Sequence, residues 1–312
     1  MLTEFNKIFG RDFIVAFFVP ALIFIAANIG LLEIFKIRPV WLQINSADPL
    51  KDTTFLALII LVTSFCLMAL SRLIFRALEG YWPFNLGIKL NFFQKRQYRA
   101  LKKQLEELKA ENEQCRKENT KFSKILIYDR LMRRLALDYP SEEHMVRATA
   151  FGNTVSAFED YPRVMYGFES ITGWSRLNAV IPKEYREQIG SARALTDLWV
   201  NTWFVSLIFV IEYLAIISYW NYELKFYWIP CIGFVVMFAA SWRARIAAQQ
   251  WGEWVKAAFD VFLPALCQKM GYKKPSTIEA ERKFWLSIGQ GITFRYRGSL
   301  NGLDNSRKEA FD

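Results

Sequence analysis

Residues 53–71 read TTFLALIILVTSFCLMALS, 19 positions from Thr53 to Ser71 without one charge. About 20 apolar residues at ~1.5 Å rise cross the ~30 Å hydrocarbon layer of a bilayer. This stretch is therefore read as a membrane span, because soluble helices keep a polar face over such a length. Working outward, Phe13 to Leu32 gives 20 uncharged residues and Phe226 to Trp242 gives 17. Leu198 to Tyr222 is interrupted only by Glu212. The expected fold is all-α, with four transmembrane helices at about 13–32, 53–75, 198–220 and 226–242. They form two hairpins, within 1–76 and 197–242, separated by a cytoplasmic helical domain over 77–196 and followed by an amphipathic helix and tail over 243–312.

Charge sets the orientation. The formal net charge is +10, and if both termini and the central segment lie inside, only Lys36, Arg38, Lys51 and Lys225 remain outside. The other 36 of the 40 Lys and Arg are then internal, as the positive-inside rule requires. Both termini are expected in the cytoplasm, in an inner (plasma) membrane of bacterial type. Trp41, Trp220, Tyr222, Tyr227 and Trp228 fall at the outer interface, Trp82 and Trp242 at the inner one. A cleaved signal peptide fits poorly, since the first apolar run is long and no small-residue cleavage motif follows Leu32. Four cysteines without close spacing predict free thiols rather than a disulfide framework.

Between the second and third spans, Phe92 to Leu137 has no Gly or Pro and is rich in helix formers. Tyr98, Leu101, Leu105 and Leu108 recur at alternating steps of three and four, a coiled-coil seam that makes self-association an expectation. An ordinary amphipathic helix packing on its own domain fits the same pattern. The register weakens through Asn112, Cys115 and Asn119, so the helix is expected either to fold back near Asn119 and Thr120 or to pair with copies of itself. From Glu142 to Pro182 the pattern shortens, with Gly152, Pro162, Gly167 and Gly173 as breakers. Pro182 opens a helix that runs into the third span. Arg243 to Met270 is amphipathic, with Pro264 as a kink. Ser276 and Glu279 read as a capping box.

Two local patterns carry a resemblance. One is Leu78-Glu79-Gly80-Tyr81-Trp82-Pro83; the other is Gly152-Asn153, Glu159, Tyr161-Pro162 and Tyr166-Gly167. Together they resemble a group of uncharacterised bacterial multi-span membrane proteins, in which the Tyr-Gly pair is followed by a Trp-Pro-Arg-Leu run. Here the run is Trp174-Ser175-Arg176-Leu177, without the proline. The resemblance implies shared architecture and no known activity.

Chemical motifs are sparse. His144 is the single histidine, and there is no H-E-x-x-H, P-loop, nucleophile elbow or C-x-x-C. No cofactor, metal site or catalytic residue is assigned. The basic cluster Lys95, Arg96, Arg99, Lys102 and Lys103 suits anionic lipid or topology better than nucleic acid. Glu79, Glu159, Arg163, Glu169 and Arg176 form a candidate cytoplasmic network. Glu212 is the chemical anomaly, since a charge within a span costs a few kcal/mol unless paired, protonated or wetted. Asn28 and Asn201 are its foremost candidate polar neighbours, with Thr63, Ser64 and Ser206 behind them. Either a structural hydrogen-bonded Glu or one facing a water-filled path would satisfy this.

Three functions remain open from sequence. The first is an oligomeric pore or channel-like effector governed by the cytoplasmic domain. The second is a membrane-anchored scaffold docking a cytosolic protein. The third is a lipid-modifying enzyme using carboxylates at the inner face.

Overall fold

The computed structural model describes residues 10–34, 49–82, 86–220, 222–296, 298 and 303. Residues 35–48 with Trp41, Pro83 and nearly all of the tail lie outside them. Every regular element among the described residues is helical, and four helices are long and apolar enough to cross a membrane. The chain divides into two compact units. One comprises Met1–Leu78 with Gly190–Ala247, the other Glu79–Ile189 with Ala248–Asp312.

The first unit holds the apolar helices. It begins with α1 (Arg11–Phe13), a π-helical turn (Ile14–Phe18) and α2 (Val19–Ile34). The second long helix is α3 (Pro49–Glu79). The third, α9 (Lys183–Tyr219), starts beside Pro182 and runs unbroken through the apolar stretch, as the sequence predicts. In place of a span followed by a separate amphipathic helix, one continuous helix covers α10 (Trp228–Lys269). No glycine or proline stands between Trp242 and Trp251 to end it. The core of this unit includes Tyr213, Ile217 and Ile229 with Leu31, Phe209 and Phe226 around them. Thr63 and Ser64 return their hydroxyls to the carbonyls of Ile59 and Ile60, at 2.8 and 2.7 Å.

The second unit contains α4 (Leu86–Leu90), α5 (Phe92–Lys117), α6 (Ile125–Asp138), α7 (Ala150–Tyr166), α8 (Ser170–Leu177) and α11 (Ile278–Thr293). The ends of α9 and α10 beyond Gly190 and Ala247 complete it. The helix expected to run from Phe92 to Leu137 is in fact two. Asn119 takes a left-handed conformation (φ 57°) and the Thr120 amide donates to the Cys115 carbonyl at 2.8 Å, closing α5. Asn is among the few residues that adopt this conformation readily. Lys124 then pairs with Glu111 at 2.8 Å across the hairpin. Tyr98 and Leu101 are buried within this unit against Tyr139, Val146, Leu131 and Leu135, while Leu105 and Leu108 are half-buried. The start of the seam is thus spent on the chain's own packing.

Gly152 and Pro162 lie inside α7 and do not break it. Thr149 caps that helix by accepting from the Gly152 amide at 2.9 Å, and Gly167 ends it with φ 74°. A Cβ on Gly152 would overlap the Glu79 carbonyl oxygen, so the glycine permits a backbone approach no other residue allows. The cap of α11 is Thr277, not Ser276: its hydroxyl accepts from the Ala280 amide at 3.2 Å. Phe168, Phe259 and Trp285 form an aromatic core, with Phe168 and Trp285 centroids 4.9 Å apart.

Candidate functional site

Of the residues proposed around Glu212, Asn28, Thr63, Ser64 and Asn201 each bond elsewhere. Pro20 has no amide hydrogen, so it cannot bond the carbonyl of Ala16, four residues earlier. The backbone there adopts the π-helical turn, and the Asn201 side-chain amide donates to the freed Ala16 oxygen at 2.8 Å. Asn201 is buried, and its own Oδ1 has no hydrogen-bond partner among the described residues. Asn28 accepts from the Tyr213 hydroxyl at 3.1 Å and donates to the Phe24 carbonyl at 3.0 Å. Glu212 is half-buried and has no hydrogen bond or ion pair among the described residues. A cavity in this unit, about 160 Å³, is lined by Pro20, Ile23, Phe24, Val205, Phe209 and Val236 among others, with no ionisable group.

The proposed cytoplasmic network is regrouped. Arg163 is present, but its partners are Asp160 at 2.7 Å and Glu142 at 2.8 Å. Glu159 is half-buried on α7, Glu169 is exposed at the start of α8, and Arg176 donates to the Thr172 carbonyl at 2.8 Å. Glu79 contributes its backbone carbonyl beneath Gly152. Asp160 is the residue the sequence reading missed. Its partner Ser141 lies 19 positions away across a loop, and only the fold joins them.

Asp160 has a side chain 2% exposed. It accepts from the Ser141 amide at 2.9 Å and the Ser141 hydroxyl at 2.5 Å, besides Arg163. Burial alone would push its carboxyl up, but the hydrogen bonds from Ser141 and Arg163 outweigh that and hold it below the usual carboxylate range. Nearby, buried Asn153 accepts from the Arg147 amide at 2.6 Å and donates to Gln94 at 3.1 Å; Gln94 in turn accepts from the Tyr139 hydroxyl at 3.2 Å. Tyr98 donates to the Ser141 carbonyl at 2.9 Å. These bonds lock α5, the 139–147 segment and α7 together.

Over this polar floor lies a groove of about 310 Å³. Leu105, Met132, Leu135, Ala136 and Val164 give it apolar walls, with Lys102, Tyr98, Tyr161, Ser141 and Asp160 around them. The Lys102 ammonium stands 5.7 Å from the Tyr98 ring centroid. The size falls at the small end of ligand and peptide-anchor sites.

Tyr161 and Tyr166 both donate to the Asp260 carboxylate of α10, at 3.0 and 2.8 Å. Burial, then the hydrogen bond to Asp260 and its charge, push the Tyr161 phenol up to about 12. Tyr166 moves the same way for the same reasons. A raised phenol stabilises the fold below its unfolded value of about 10, and that contribution is lost as pH rises through about 12. Asp260→Asn is expected to bring two of the 13 tyrosines to lower pH in a phenolate absorbance titration. An unchanged curve would show that the carboxylate does not hold these hydroxyls.

No protein-family model, curated protein or solved structure matches the chain. The functional reading rests on the two units themselves.

Proposed function

We propose that this is a multi-pass inner-membrane protein whose second unit is a cytoplasmic docking platform. Its groove between α5, α6 and α7 takes the apolar side chains of an amphipathic helix from a cytosolic protein. What supports this reading is the groove's construction: an open apolar trough laid on polar groups that already satisfy one another. Such a floor is rigid, and preorganised apolar pockets bind with little ordering cost. The basic flanks of the spans favour placing this unit, and both termini, in the cytoplasm.

The test places a photocrosslinking amino acid at Met132, which is 46% exposed on the groove rim. One adduct of defined mass and near-stoichiometric yield is expected in intact cells. Ala136→Trp, which fills the trough, should remove it while Cys267, buried in the same unit, stays protected from alkylation. An adduct that survives the filled groove would sink the docking reading.

The pore reading keeps one supporting observation. Glu212 belongs to a helix face that is largely exposed, so a passage using it would run between copies rather than through one bundle. Lipid chemistry by Glu79, Glu159 and Glu169 gains no comparable support, since none of them lines the groove.

A further inference from the structure

Along α9, Ile208, Ala215 and Tyr219 are exposed and Glu212 is half-buried between them, the four standing at steps of four, three and four residues. That is the spacing of a left-handed helix–helix seam. Ala215 is small, and small residues let span helices approach closely. Glu212 lies on this line, one turn after Ile208. It sits seven residues before the end of α9 at Tyr219, about 10 Å along the axis. A glutamate side chain is short for reaching headgroups from there, and lipid tails offer it no donor. Within the protomer it makes no hydrogen bond or ion pair among the described residues, and the hydroxyl of Tyr213 beside it bonds Asn28.

We infer that this face of α9 is a contact surface for a second copy of the chain, in which the two Glu212 carboxyl groups bond each other. A carboxyl group in its neutral form both donates and accepts. It is therefore complementary to its own image across a two-fold axis, as a symmetric interface requires. No other single side chain on this face has that property so deep in the span. The self-association surface thus moves from the α5 seam, whose first residues are buried in their own unit, to α9. The contact does not depend on the docking groove.

Subunit counting by single-molecule photobleaching tests it, with the full chain reconstituted alone in vesicles over a range of protein-to-lipid ratios. Wild type should pass from one subunit to two as density rises. Glu212→Gln, whose amide also donates and accepts, should need a density within about threefold of wild type, and Glu212→Leu at least about tenfold more. Ala215→Trp, which blocks close approach, should raise it similarly. Val235→Trp on the exposed side of α10 should leave it unchanged. Wild type remaining single at every density overturns the inference and leaves a different membrane protein as the partner of this face. Glu212→Leu or Ala215→Trp pairing like wild type overturns it as well. Crosslinking at Met132 is read on the same variants, so a failure of docking stays distinct from a failure of pairing.

Discussion

Asp160→Ala is expected to destabilise the second unit by about 2–4 kcal/mol, from losing hydrogen bonds to a buried charged group and leaving a backbone amide unsatisfied. The substitution leaves the Ser141 amide without its acceptor and strips Arg163 of its closest anion. Asp160→Asn keeps an acceptor in place and should cost about 1–2 kcal/mol, the scale of a weakened hydrogen bond. Arg163→Ala should fall between, because Glu142 and solvent already share that guanidinium. The reporter is Cys267, a buried thiol in the same unit, followed by alkylation and mass spectrometry along a denaturant series. The same site sets an acid limit. A carboxyl group whose folded pKa is depressed gives its full stabilisation above the unfolded value of about 4. That stabilisation is lost as pH falls below this value through the folded one. Wild type should therefore lose Cys267 protection on acidification more steeply than Asp160→Asn. Equal acid sensitivity of the two would remove Asp160 from this role.

The second large effect is at Gly152. Any Cβ there overlaps the Glu79 carbonyl and comes 3.0 Å from the Thr149 hydroxyl that caps α7. Relief requires backbone movement, so Gly152→Ala should cost about 3 kcal/mol, the upper range for overpacking. Gly30 supplies the contrast. It also lies in a helix, but a Cβ there meets nothing within 4 Å. Gly30→Ala should be neutral or stabilising by under ~1 kcal/mol, as helix propensity predicts. The pair is compared by thermal aggregation in detergent, and equal melting of the two variants would refute the close approach.

The same contact accounts for a pattern in the sequence. Leu78-Glu79-Gly80-Tyr81 and Gly152-Asn153 are over seventy residues apart, yet Gly152 covers Glu79, Gly80 faces Ala148, and the Arg147 guanidinium lies 4.3 Å from the Tyr81 ring centroid. The later tyrosines, Tyr161 and Tyr166, converge on Asp260. Much of these two patterns is therefore engaged in packing and hydrogen bonding within one unit.

The four apolar helices were legible because a bilayer demands one long, nearly chargeless run per crossing, and that demand is written locally. The unbroken entry of α9 into its apolar stretch was legible for a similar reason, since Pro182 marks the start and nothing marks a stop. The turn at Asn119 was visible as an alternative, because polar residues occupy the seam there. Which alternative held depended on Leu131 and Leu135 reaching Tyr98 and Leu101, and no local signal carries that. Asp160 was hidden because one carboxylate among many looks like surface until Ser141 and Arg163 enclose it. The Thr277 cap was missed by one position because Ser276 offers the same chemistry. Asn201, a candidate neighbour of Glu212 by sequence, bonds the Ala16 carbonyl. The signal was present in Pro20, whose missing amide hydrogen leaves a carbonyl in need of a donor.

That last arrangement has a mechanical meaning. The Ala16 carbonyl is met by a side chain from another helix at a fixed height and bearing. The opening helix cannot slide along its axis or spin about it without presenting a bare oxygen to hydrocarbon. It acts as a key, and a shift of this helix against α9 gives up that bond.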